Sequence, residues 1–263
     1  MKRTLTDVST ADFPETVRKW TDGAVLYDSS CSETARVFFL DRDEGCYLKT
    51  APAGTLKTEA EMTAFFHKHG LSAEMLYYGT AGGKDYMITS RIPGEDCTFA
   101  CYLSEPERLC DTVATLLRQL HETDPAGCPV QNRLEDYIAS VRRGCEQRSY
   151  HPEYCTGIGE FASFEEAKKT ACDGIKALKQ EAVIHRDYCL PNILLDNWRF
   201  TGFIDVGAGG FCDRHLDIFW GIWSLNHNLN ATKWTDRFLD VYGRDKADKE
   251  KLRLIAAMET VAC

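Results

Sequence analysis

The hydrophobic pattern of this chain changes period once, at Pro93-Gly94, and that change restricts it to a two-part architecture. Before it, short runs rich in β-branched and aromatic residues (23–28, 35–40, 46–51, 74–79 and 85–92) alternate with polar turn clusters such as DRDEG, the signature of an antiparallel meander. One segment over 56–69 breaks the series, with Leu56, Ala60, Met62, Phe65 and Phe66 at helical spacing and Gly70 as its stop. After it, long helical patterns cover 104–122, 134–146, 164–179, 215–226, 233–242 and 249–261, interrupted by a strand-rich island between Ala182 and Asp205. The predicted fold class is α+β, with a small antiparallel-sheet N-lobe over 1–93 and a larger, mainly helical C-lobe over 94–263. Pro93-Gly94 is the hinge candidate.

Composition narrows the function classes. The 263 residues are 44% hydrophobic and 27% charged, enough to bury a sizeable core, which excludes disordered and fibrous classes. Twelve Cys without a CxxC pair exclude a disulfide scaffold and a zinc finger. The first residues carry no apolar stretch of signal-peptide length, and no window reaches the roughly 18 apolar residues of a membrane span. The expectation is a cytoplasmic protein with reduced thiols and no membrane partner. Thirty-one Lys plus Arg against 40 Asp plus Glu give a formal charge of −9, which disfavours nucleic acid as a partner and favours cationic ligands.

The chemistry is concentrated in VIHRDYCLPNILLDNWRFTGFIDVGAGG. His185, Asp187 and Asn192 lie between two short apolar runs, and Asp205 ends another run 18 residues after Asp187. Phosphoryl transfer needs a carboxylate to orient a hydroxyl and accept its proton, and an amide oxygen and a second carboxylate as hard ligands for Mg²⁺. The spacing HxDxxxxN followed by IDxG supplies that set, as the catalytic loop and metal-binding segment of kinases do. A cation for the nucleotide phosphates is found in Lys49 of YLKT, with Glu59 on the following helix as its partner and Glu61 as the substitute if the helix phase differs. No GxGxxG precedes the second strand. DSSCSETARV stands there instead, and either the hydroxyls of Ser32 or Thr34 with nearby N–H groups cap phosphate oxygens, or the segment is an ordinary polar hairpin.

These motifs, with the weaker matches YLKT, SRIPGED, LRQLHETDPAGCP and RFLDVYGRD, resemble the aminoglycoside 3′-phosphotransferases over nearly the whole chain. The resemblance implies a two-lobed protein-kinase-like fold, a five-stranded N-lobe and ATP held between the lobes. It makes Asp187 the catalytic carboxylate, Asn192 and Asp205 the Mg²⁺ ligands, and Lys49, held by Glu59, the residue on the α- and β-phosphates. It also implies that Tyr47 stacks on adenine, the alternative being a half-buried strand aromatic, and that the backbone of Ser90 and Ile92 bonds the base edge. His185 braces its loop, Asp213 and Asp217 tie one face of a helix to that loop, and Phe219, Trp220 and Trp223 read as core. Two positions depart from the family: Arg186 stands where Gly is usual, and Ala208 where Arg is common. The family holds drug ammonium groups with an acidic C-lobe loop and an acidic C-terminus. Here the loop contributes only Glu153 and Glu160, of which Glu160 is a candidate with Glu259 of the C-terminal segment, against the alternative of plain surface carboxylates.

The function that follows is ATP-dependent phosphorylation of an aminoglycoside hydroxyl by a monomer or weak dimer. The alternatives are a kinase of another hydroxylated or cationic metabolite and a catalytically silent nucleotide-binding protein.

Overall fold

The computed structural model describes residues 3–31, 34–155 and 158–262. The strands are β1 (Thr4–Leu5), β2 (Val25–Asp28), β3 (Arg36–Asp41), β4 (Cys46–Pro52), β5 (Met75–Ala81), β6 (Lys84–Ser90), β7 (Glu95–Asp96), β8 (Ala182–Ile184), β9 (Ile193–Asp196), β10 (Arg199–Phe203) and β11 (Gly210–Cys212). The helices are α1 (Glu15–Thr21), α2 (Lys57–Lys68), α3 (Ala100–Leu103), α4 (Pro106–His121), α5 (Arg133–Gln147), α6 (Phe164–Gly174), α7 (His215–Asn228), α8 (Trp234–Tyr242) and α9 (Lys249–Val261). They form two compact units, Met1–Glu95 with Leu194–Gly207, and Asp96–Ile193 with Ala208–Cys263.

The first unit holds an antiparallel sheet in the order β1-β2-β3-β4-β6-β5. The β3 and β4 side chains alternate as their sequences predict. Phe38, Leu40 and Leu48 join Leu26, Tyr86 and Ile88 in a buried cluster, while Phe39, Tyr47 and Lys49 take the opposite face. The sheet has one strand more than the five the resemblance implied, because Thr4 and Leu5 pair with Asp28 and Tyr27 at its edge. Helix α1 was not predicted, although Pro14 directly before it is a start signal. Leu194–Gly207 join this unit despite their place in the sequence. The Phe203 N–H donates to the Leu71 carbonyl at 2.7 Å, Ser72 bridges Phe203, and the Phe203 ring packs on Phe66. Gly94, the hinge candidate, sits at φ +96° with the Leu195 backbone against its α-carbon, so a side chain has no room there.

In the second unit α4 buries Leu109, Val113, Leu116, Leu117 and Leu120, the i, i+3/i+4 stripe read from the sequence. Strand β8 pairs antiparallel with β11, Val183 opposite Phe211, and delivers the chain into the His185 loop. Among the described residues no helix is long and apolar enough to cross a membrane. The cysteines whose side chains are described are free thiols.

Helix α2 is anchored by a buried carboxylate. Asp85 on β6 accepts from the Leu56 N–H at 3.0 Å, the Tyr78 hydroxyl at 3.1 Å and the Thr80 hydroxyl at 2.6 Å. Asp85→Ala orphans three donors at the start of the helix that carries Glu59, and is expected to cost on the order of 3 kcal/mol. Urea denaturation checks it, and a loss below about 0.5 kcal/mol contradicts the anchor.

Candidate active site

The loop from His185 to Asn192 is tied down at almost every residue. Asp217, fully buried on α7, accepts from the His185 N–H at 2.6 Å through one oxygen and from the Arg186 N–H at 2.7 Å through the other. His185 is buried, and its Nδ1 accepts from the Asp187 N–H at 3.3 Å. Tyr188 donates its hydroxyl to the Val113 carbonyl at 2.7 Å, and Leu190 N–H donates to Ser224 Oγ at 2.9 Å. Asn192 donates its Nδ2 to the Asp187 carbonyl at 2.9 Å and to Asp187 Oδ2 at 2.8 Å. Asp187 itself is exposed, a carboxylate fixed by a buried loop and turned to solvent. The neighbouring Cys189 is not a rival nucleophile, because burial, reinforced by the Asp187 charge, pushes its thiol up and keeps it protonated.

In the first unit Lys49 Nζ lies 2.7 and 2.9 Å from the two oxygens of Glu59 and 2.9 Å from Asp205 Oδ1. Burial works against the ammonium, but the Asp205 and Glu59 carboxylates together outweigh it and hold the Lys49 pKa above its ordinary value. Glu61 points elsewhere, 3.8 Å from Lys57 on the same helix, so α2 brings Glu59 to Lys49 and not the substitute. Gly207 of the IDVG segment packs on this triad, and a Cβ there would meet the Glu59 Cβ at 2.9 Å.

The remaining candidates fall out unevenly. Tyr47 shares the Lys49 face of β4, its ring 5.2 Å from that of Phe39 and its hydroxyl accepting from Arg3 at 2.9 Å. The Ser90 N–H is taken by the Glu74 carbonyl, and its hydroxyl accepts from the Glu74 N–H, each at 2.9 Å. Ile92 is buried beside Gly202. Ser32 lies outside the described residues. Thr34 is exposed, and in the same segment the Ser30 hydroxyl accepts from the Val37 N–H at 2.9 Å.

A cavity of about 570 Å³ opens beside Asp187 within the second unit. Arg133, Asp136, Tyr137, Arg186, Ala208, Trp220 and Glu259 are among its walls. Three expectations change here. Glu259 is not a surface carboxylate: it is 5% exposed and paired with Arg186 at 3.0 Å. Glu160 is exposed, and it is not among the described residues lining the cavity. Trp220 forms part of the cavity wall, whereas its neighbour Phe219 is core as read. Sequence reasoning missed Arg133, Asp136 and Tyr137, whose only signal was the polar face of an otherwise ordinary helix.

A profile of the phosphotransferase enzyme family matches residues 29–255. The chain belongs to that family. Relatives of this phosphotransferase are matched over most of their own length. A probable aminoglycoside 3′-phosphotransferase of Lactococcus lactis subsp. lactis is 39% identical over 94% of each chain. An aminoglycoside 3′-phosphotransferase of Niallia circulans is 30% identical over 81% of this chain and 82% of its own. Among solved structures, an aminoglycoside-3′-phosphotransferase of type VIII aligns with a TM-score of 0.75 at 24% identity, covering 96% of this phosphotransferase and 98% of that chain. An aminoglycoside phosphotransferase of Streptomyces rimosus in complex with ADP and streptomycin aligns at 0.69 and 20% identity, over 86% and 90%. The shared fold is the kinase-like arrangement expected, with an N-terminal antiparallel sheet and a helical C-terminal part.

Asp213 departs from its expected role. Helix α7 begins only at His215, so Asp213 precedes it and leaves the loop to Asp217. Its carboxylate accepts from the Lys179 N–H at 2.8 Å, from His215 Nδ1 at 2.6 Å and from Lys251 Nζ at 2.8 Å. Burial alone would raise its pKa, but these bonds outweigh it and hold the carboxyl well below the usual range. A depressed folded-state pKa stabilises above the unfolded value of about 4, and that stability is lost as the pH falls through the folded one. In Asp213→Asn the acid limb of stability is therefore expected to flatten between roughly pH 4 and 2. Urea midpoints across that range check it, and parallel limbs for variant and wild type contradict it.

Proposed function

We propose that this phosphotransferase moves the γ-phosphoryl group of ATP to a hydroxyl of an aminoglycoside antibiotic, the 3′-hydroxyl by the relatives' names, and so confers resistance. The observation that carries the reading is the solvent-facing Asp187, whose carboxylate and backbone carbonyl each accept a bond from Asn192 on a loop anchored to a buried aspartate. Geometry of this kind suits a base that must take one proton from a bound alcohol as it attacks phosphorus. The relatives at 39% and 30% identity bear the names of such enzymes, which supports the acceptor class.

Lys49 is the cation for the α- and β-phosphates. With its ammonium already formed between two carboxylates, no proton needs to be acquired when nucleotide binds. Tyr47 offers a ring on the same sheet face for adenine. The base edge falls to the Ser90 carbonyl, since the Ser90 N–H is already bonded, and to the Ile92 backbone. Thr34, and Ser32 by its place in the sequence, belong to the phosphate hairpin. The division into a nucleotide part over 1–93 and a catalytic part over 94–263 is part of the same reading.

The proposed Mg²⁺ ligands are Asn192 and Asp205, and their chemistry fits a hard cation. Asn192 spends its Nδ2 on Asp187 and keeps its amide oxygen for a ligand; Asp205, with 55% of its side chain exposed, commits only Oδ1 to Lys49. When bound, Mg²⁺ offsets charge on the transferring phosphates. The setting is the cytoplasm, with a small molecule rather than a nucleic acid or a membrane as partner, and a monomer or weak dimer as the working form. The second reading, a kinase of another hydroxylated metabolite, is favoured by the paired charges of the cavity wall.

ADP release measured over kanamycin, neomycin and unrelated alcohols tests the acceptor class. Asp187→Asn is expected to lower kcat by about a thousandfold or more while ATP binding persists, and near wild-type turnover sinks the assignment. Chelation by EDTA and Asp205→Ala are each expected to abolish turnover, with added Mg²⁺ restoring the chelated wild type but not the variant.

A further inference from the structure

Arg186 occupies a backbone position that does not suit it. Its φ is +71°, a left-handed conformation that is strained for a non-glycine residue. Strain of that kind persists where surrounding contacts hold it: here Asp217 holds the Arg186 N–H, and further contacts are made by the guanidinium. It lies 3.0 Å from Glu259 Oε1 and 4.7 Å above the Tyr137 ring. Glu259 in turn sits in the last turn of α9, where the helix dipole disfavours an anion, and Arg186 is the cation that faces it. Both side chains face the cavity beside Asp187.

The charges of that cavity are matched in pairs. Its lining carboxylates are Asp136, Asp187 and Glu259; Asp136 lies 3.6 Å from Arg133, and Glu259 is held by Arg186. Asp187 is left without a guanidinium, as the reacting group must be. Part of the remaining wall is aromatic, and Trp220 Nε1 is buried there without a hydrogen-bond partner, a donor available to a sugar oxygen. A wall of this kind binds a ring through its hydroxyls and its apolar face, whereas a polycation calls for several unmatched carboxylates.

The geometry points to Arg186 as a specificity-determining residue: by neutralising Glu259 it makes the cavity beside Asp187 select the acceptor ring by its hydroxyls and not by ammonium charge. The inference rests on the aminoglycoside reading above and specifies which acceptors that site prefers. It gives a sign for each variant. Removing Arg186 leaves one unmatched carboxylate, removing the charge of Glu259 leaves one unmatched guanidinium, and removing both restores balance.

Neomycin and paromomycin, which differ by one ammonium-for-hydroxyl exchange, are the probes. The readout is the ratio of their kcat/KM values, with KM and kcat resolved separately. R186G, whose glycine suits the left-handed backbone, is expected to raise the neomycin-to-paromomycin ratio by about tenfold, through KM for neomycin. E259Q is expected to lower the ratio, and R186G/E259Q to return it to near the wild-type value. R186K keeps the wild-type ratio, and R186Q, which removes the charge but retains bulk, repeats the R186G shift if the glycine variant folds poorly. A ratio unchanged in R186G and R186Q, with kcat falling alike for both acceptors, overturns the inference by showing Arg186 to be a loop brace. A shift that survives in the double variant also overturns it, because Glu259 is then not the charge being masked. Wild type inactive on both probes overturns the aminoglycoside reading itself, and the inference with it.

Discussion

Asp217 holds two consecutive backbone N–H groups, those of His185 and Arg186, in the interior of the helical unit. Everything proposed about the reacting centre depends on that bond pair. With His185 and Arg186 fixed, the next residue is placed at the surface with its carboxylate outward, and Asn192 can reach back to it. The carboxylate that does this is fully buried and is also approached by His121 Nε2 at 3.4 Å. A buried anion satisfied this fully is costly to lose, because its departure leaves several donors unpaired at once. The loop is therefore rigid for the same reason that it is chemically exposed: its backbone needs are met from beneath.

The sheet unit uses a comparable device. Asp85 fixes the start of α2, α2 presents Glu59, and Glu59 with Asp205 fixes Lys49. Each step converts a buried polar group into the position of the next one. Gly207 completes the set by allowing the backbone after Asp205 to lie against Glu59. In both units a carboxylate that never needs to meet substrate determines where the proposed functional groups stand.

Much of the fold was legible because its signals are local. Alternation in 35–40 and 46–51 marks strands, and the stripe of α4 is read directly from Leu109 to Leu120. The HRDxxxxN and IDxG spacings were legible as well, since residues that act on one loop must lie close in sequence. Other features escaped because their cause is distant. Strand β1 is two residues long and exists only by pairing with β2. The choice of Glu59 over Glu61 depended on helix phase, which a short amphipathic segment leaves open until Lys49 fixes it. That the Ser30 hydroxyl accepts from the Val37 N–H is a matter of register.

By itself the sequence determined the α+β pattern, the kinase-like spacing of Asp187, Asn192 and Asp205, and the pairing of a strand lysine with a helix glutamate. Those depend on period and on short separations along the chain. Only the tertiary structure decided what the cavity beside Asp187 is made of. Composition suggested acidity held for a cationic ligand, yet Glu259 is buried against Arg186, Asp136 faces Arg133 and Glu160 stands apart at the surface. The physical reason is that net charge is a sum over the chain, whereas recognition depends on which charges are left unmatched. The Arg133–Asp136 pair lies within one turn of α5, but the Arg186–Glu259 match is set by the contact of α9 with the His185 loop, which no local pattern encodes.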